Sequence, residues 1–218
     1  MTKKLLTIEN VSSVLKAHYS ATFKHFGATA AGVDWGPQSE VELRYDRMLA
    51  LVSSTMNKSS ECPAVLDVGC GFGGLIGYAE GRGFNLRYTG IDLCDNMIQH
   101  ARKSFPRHEF ICGDIFHLPE NRTFDFLLCN GVLTQKLNVS TADMDRYAER
   151  LIKKMFSHCT VGIAFNVMST KVNFMVDNLY YRDPCELAAW CMREVTSRFV
   201  LDHGYPLFEY TLRLYRVM

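Results

Sequence analysis

The sequence predicts an α/β fold: a seven-stranded, mostly parallel sheet with helices on both faces, an antiparallel C-terminal hairpin and an N-terminal helical cover. Three observations carry that expectation. The run Val65-Leu66-Asp67-Val68 is apolar apart from its acid and passes into glycines at 69, 71, 73 and 74, as a buried strand does when it turns tightly into a helix. Short apolar segments then alternate with amphipathic stretches of helical length, the pattern of βαβ units. A chain of 218 residues, 48% hydrophobic and 22% charged, can bury a full core. It reads as one domain over 1–218, with the cover at 1–58 and the sheet at 62–218.

The elements follow in order. Glu9 to Phe26 spaces Val11, Val14 and Leu15 along one helical face. A Gly/Ala-rich loop, Gly27 to Pro37, leads to a second helix from Glu40 to Val52, and a polar linker from Ser53 to Glu61 precedes the glycine-loop strand. Tyr88 to Leu93, Glu109 to Ile115 and Thr123 to Val132 read as three further strands, with helices after Gly73, Asp92 and Thr141. Cys159 to Val167 is the fifth strand. Asp183 then caps a helix that Pro184 opens and that runs to about Arg198. Phe199 to His203 and Leu207 to Val217, joined by Gly204-Tyr205-Pro206, form the closing hairpin.

Composition narrows the class of partner. A formal net charge of +1 gives no electrostatic footprint for nucleic acid or an anionic membrane, and short runs such as Lys3-Lys4 and Lys153-Lys154 read as solvated helix faces. No stretch approaches the length of a membrane span, and no basic-then-apolar leader opens the chain. The eight cysteines contain no C-x-x-C pair. The chain therefore reads as reduced and cytoplasmic, with no metal site, as a monomer or homodimer acting on a small molecule.

Four expected strand ends converge on one edge of the sheet, where open α/β sheets take their ligands. Asp67 stands two residues before the first glycine. An anion there disfavours a pyrophosphate and favours a ligand with an ammonium or sulfonium group; S-adenosylmethionine carries both. Gly74 completes G-x-G-x-x-G, so a dinucleotide remains open on the loop alone. Asp92, 25 residues after Asp67, suits the hydroxyls of a ribose, and Asp114 suits an adenine amine.

On these residues the chain resembles the class I S-adenosylmethionine-dependent methyltransferases over roughly 62–165. The resemblance implies a Rossmann-like core with S-adenosylmethionine as cofactor and S-adenosylhomocysteine as product. It implies a donor site of Asp67, Gly69, Cys70, Gly71, Gly73, Asp92, Leu93, Met97, Gly113, Asp114, Ile115, Asn130 and Gly131. Stretches such as Gly162-Ile163-Ala164-Phe165-Asn166 and Asp177 to Pro184 are similar to small bacterial methyltransferases of polysaccharide or secondary-metabolite pathways. The expected reaction is methyl transfer to an O or N atom of a small polar metabolite. Other chemistry from the same donor, cyclisation, and a silent adenosyl-binding protein are the alternatives.

Methyl transfer needs alignment and desolvation more than it needs a triad. Acceptor-side candidates must come from elements over the sheet edge. Tyr19 and Trp35 are expected walls of the site, and Arg44 offers a fork for the donor's carboxylate. His18 and His25 are candidate bases, each with a packing role as its alternative. The polar and aromatic segment 168–183, with Tyr181 as a catalytic candidate, is the expected lid over the acceptor.

Overall fold

The computed structural model describes residues 7–55 and 62–216. Part of the expected linker (56–61), the Lys3-Lys4 run and the last residue of the expected final strand lie outside the described residues. Helices α1 (Ile8–Phe26) and α2 (Gln38–Thr55) precede strand β1 (Ala64–Val68). Next come α3 (Gly74–Gly81), β2 (Arg87–Asp92), α4 (Asp95–Ser104), β3 (Glu109–Cys112), β4 (Phe124–Cys129), α5 (Thr141–His158) and β5 (Cys159–Ser169). The chain closes with β6 (Tyr181–Arg182), α6 (Pro184–Glu194), β7 (Phe199–Asp202) and β8 (Glu209–Tyr215).

The sheet runs in the order β3-β2-β1-β4-β5-β8-β7. Strands β1 to β5 pair in parallel, and β8 joins β5 and β7 antiparallel. The order reverses between β1 and β4, so their carboxyl ends flank the crevice from which open α/β sheets bind ligands. All five residues of β1 are buried, as expected of a strand covered on both faces. Leu66 and Leu127 pack with α1, α5 and α6 on one face, while Val65, Phe126 and Leu128 pack with α2, α3 and α4 on the other.

The sheet has one strand more than the seven expected. The two residues of β6 lie in the segment read as an irregular lid and pair in parallel with Met168 and Ser169, because β5 extends two residues beyond its expected end. Helix α6 begins at its expected cap, where the Asp183 carboxylate accepts the Cys185 and Glu186 amides. It stops at Glu194 rather than near Arg198, and the hairpin loop is longer than Gly204–Pro206 because β8 starts only at Glu209.

Candidate active site

A cavity of about 970 Å³, open to solvent, lies over the carboxyl ends of β1, β2 and β4. Its floor is the glycine loop. Gly69, Gly71 and Gly73 have φ of 75°, 56° and 87°, angles that favour glycine. At Gly69 there is no room for a side chain, since a Cβ would stand 2.2 Å from Val132. The loop is stapled to β2 by the Gly69 and Cys70 amides, which donate to the Ile91 carbonyl at 2.8 and 3.2 Å.

Two carboxylates face this floor from neighbouring strands. Asp67 is 2% exposed and accepts from the Tyr88 hydroxyl at 2.7 Å. Burial pushes its carboxyl up to about 7, against the opposing hydrogen bond. Asp92 accepts from the Gly71 amide at 2.9 Å and the Cys94 amide at 2.8 Å. Burial raises it as well, opposed by those amides. Asp114 accepts from Ser12 of α1 at 2.7 Å and from the Phe116 amide, which ties the helical cover to the end of β3. Lys16 is the one cation among the described residues lining the cavity, so the carboxyl groups of the floor have little cationic neutralisation of their own.

The walls come from the N-terminal cover. Leu15, Lys16 and Tyr19 project from α1, Val33 and Trp35 from the following turn, and Tyr45 from α2. Burial pushes the Tyr19 and Tyr45 hydroxyls well above their ordinary range, so both remain neutral. Leu93, Met97, Gly113, Ile115, Asn130 and Gly131 complete the lining together with Asp67, Gly69, Cys70, Gly71, Asp92 and Asp114.

Five residues singled out in the sequence lie outside this lining. Gly73 faces α4 instead, where a Cβ would meet Phe105 at 2.9 Å, so its work is to let α3 pack closely. Arg44 turns its Nε onto the Glu209 carboxylate at 3.0 Å, and its guanidinium lies 5.5 Å over the Trp35 ring. His25 is exposed with its ring against Phe26, nearly two turns beyond the part of α1 that meets the cavity. Tyr181 is held in β6 and accepts from the Val176 amide. His18 pairs through Nε2 with the Asp34 carboxylate, next to the lining residues Tyr19, Val33 and Trp35.

The segment 168–183 contributes no lining residue. It is instead strapped to the loop after β4: the Asn178 carbonyl accepts the Lys136 and Leu137 amides, and the Tyr180 amide donates to Thr134. Sequence reasoning passed over Leu15, Lys16, Val33, Tyr45, Phe72, Val132 and Tyr147 as lining residues. The four-residue spacing of Val11, Leu15 and Tyr19 was a usable signal for the first of these. Tyr45 and Tyr147 carried none, being ordinary aromatic residues of helix faces. No helix among the described residues is long and apolar enough to cross a membrane.

Comparison with known proteins adds four findings. Residues 65–158 match the family model of a methyltransferase domain. A protein of Mycobacterium tuberculosis H37Rv named as a methyltransferase is 30% identical over 154 residues, which cover 68% of this chain and 90% of that protein. Among solved structures, the fold is similar to magnesium protoporphyrin IX methyltransferase from Synechocystis PCC 6803 with bound S-adenosylmethionine. That match has a TM-score of 0.66 and 16% identity, covering 99% of this chain and 100% of the other. It is equally similar to the 1,6-didemethyltoxoflavin-N1-methyltransferase of Burkholderia thailandensis, bound to 1,6-didemethyltoxoflavin and S-adenosylhomocysteine. There the TM-score is 0.66 at 16% identity, over 100% and 94% of the two chains. At such identities both structures speak for the fold.

Proposed function

The chain belongs to the class I S-adenosylmethionine-dependent methyltransferases, and on that premise we propose that it methylates an O or N atom of a small polar metabolite, a sugar or a natural-product intermediate. The observation that carries the donor half is the pair Asp67, buried, and Asp92, half-buried, at adjacent strand ends, facing a cavity to which no guanidinium among the described residues contributes. The residues present fit this donor. Asp67 would hold its ammonium group, Asp92 its ribose hydroxyls and Asp114 its adenine edge, while Gly69, Cys70, Gly71, Asn130 and Gly131 let main chain approach closely. Leu93, Met97 and Ile115 would sandwich its base, and Tyr19 and Trp35 would wall off its reactive end. When bound, the donor supplies an electrophilic methyl group on a sulfonium.

What the chain itself contributes is alignment and a dry wall. An ammonium that docks beside Asp67 lowers the raised pKa of this carboxyl, whose proton leaves to solvent, and the buried anion is then held as an ion pair. The cover formed by α1, the turn at 31–35 and α2 leaves a mouth that favours a compact acceptor over a macromolecular one. For a hydroxyl acceptor, His18 is the base we favour. Asp34 holds its ring beside the lining residues Tyr19, Val33 and Trp35 and would stabilise the imidazolium. For an amine acceptor no base is required.

Calorimetric titration with S-adenosylhomocysteine tests the donor half. Folded Asp67→Ala and Asp92→Ala variants should each bind at least tenfold more weakly than the parent, and unchanged affinity in both would overturn the assignment. Product analysis tests the reaction: S-adenosylhomocysteine and a methylated acceptor are expected, whereas methylthioadenosine would mark a different transfer from the same donor.

A further inference from the structure

One wall of the cavity is tied to strands β5 and β8 by three hydrogen bonds, closed into a circuit by two contacts of the Trp35 indole. The Gly131 amide donates to Asn166 Oδ1 at 2.8 Å, and Asn166 Nδ2 donates to Glu209 Oε1 at 3.0 Å. The other oxygen of Glu209 accepts from Arg44 Nε at 3.0 Å. Arg44 lies over Trp35, and Trp35 closes on Gly131, where a Cβ would stand 2.9 Å from the indole. Asn166 is 0% and Glu209 1% exposed, so neither exchanges its partner for water.

The orientation of each group is determined by its neighbours. The Asn166 amide must present oxygen to an N–H and nitrogen to a carboxylate, so it cannot flip without losing both bonds. The circuit joins the loop after β4, strand β5, strand β8, helix α2 and the turn before it. It meets the cavity at the Asp67 end, since the residue after Gly131, Val132, is the one that a Cβ on Gly69 would strike.

We infer that Glu209 is a positioning residue for donor binding: through Asn166 and Arg44 it sets the Gly131–Trp35 wall at the end of the cavity that takes the donor's amino-acid portion. This rests on the reading of Asp67 given above. Loss of the circuit should weaken ligands that carry the amino-acid portion and spare those that lack it.

The chain contains two tryptophans, so a Trp190→Phe background leaves Trp35 as the only indole. In that background Glu209→Gln should weaken S-adenosylhomocysteine at least tenfold and 5′-methylthioadenosine less than threefold, and should shift the Trp35 emission. The double variant Asn166→Asp/Glu209→Gln moves the charge one step along the circuit and restores every donor–acceptor match, so it should regain most of the lost affinity. Equal weakening of both ligands, no weakening, or a double variant worse than the single would overturn the inference. If Glu209→Gln fails to fold, Arg44→Lys, which keeps the charge and removes the Nε donor, is read by the same two ligands. Retained affinity in Asp67→Ala would overturn the underlying reading instead, so the two failures are distinguishable.

Discussion

At neutral pH the carboxyl of Asp67 sits near the midpoint of its titration, because burial in β1 raises it to about 7. The native chain therefore holds a proton at pH values where the unfolded chain has released it. With more protons bound to the native state, stability falls as pH rises from about 4 to 7. Asp67→Asn keeps the shape and removes the anion, so the ligand-free variant should be more stable at pH 8, by about 4 kcal/mol. Urea denaturation at pH 8 and pH 5 checks this: the difference should narrow at the lower pH, and a variant less stable at pH 8 contradicts it. Affinity for S-adenosylhomocysteine should run the other way, falling about tenfold for each pH unit below 7, because the ammonium needs the ionised carboxylate. Calorimetry of parent and Asp67→Asn across that range reads it, and the variant should show no such slope.

Individual elements divide between those that build the cavity and those that only support it. Helix α6 is of the second kind, capped by Asp183 with Pro184 at its first turn and placed away from the cavity. Asp183→Ala should lower the urea midpoint and leave S-adenosylhomocysteine affinity unchanged. The glycine loop is of the first kind. Gly69→Ala forces a Cβ into Val132 and strains a φ of +75°, so a folded variant should lose S-adenosylhomocysteine binding tenfold or more in the same titration. Helix α1 serves both purposes. Its Val11 and Leu15 enter the core while Ser12 reaches Asp114, which is why the expected amphipathic periodicity also positioned a cavity wall.

Across the whole molecule, the cavity stands where two packed faces of the sheet meet the N-terminal cover, so filling it should stabilise the entire fold. Saturation with S-adenosylhomocysteine at 100 times its Kd should raise stability by about 2.7 kcal/mol, seen as a melting temperature several degrees higher. The Asp67→Asn variant, though it starts higher, should show almost none of that rise in a thermal melt. A parent protein indifferent to the ligand would argue against the cavity as its site.

Much of this protein is local in origin and was therefore visible in the sequence. The buried strand at 65–68, its acid, the glycine turn and the Asp183 cap each depend on a few consecutive residues and on backbone sterics, and each stands where it was expected. The positions of Asp92, Asp114, Asn130 and Gly131 followed as well, since parallel strands bring their carboxyl ends to one edge. Only the tertiary structure decided what distant side chains do. Arg44 meets a carboxylate 165 residues away, segment 168–183 adds a two-residue strand and a strap beside the cavity, and His18 finds Asp34 across a turn. Such pairings are chosen by burial, because a polar group removed from water takes whatever partner the packed core presents, and periodicity along the chain carries no record of that choice.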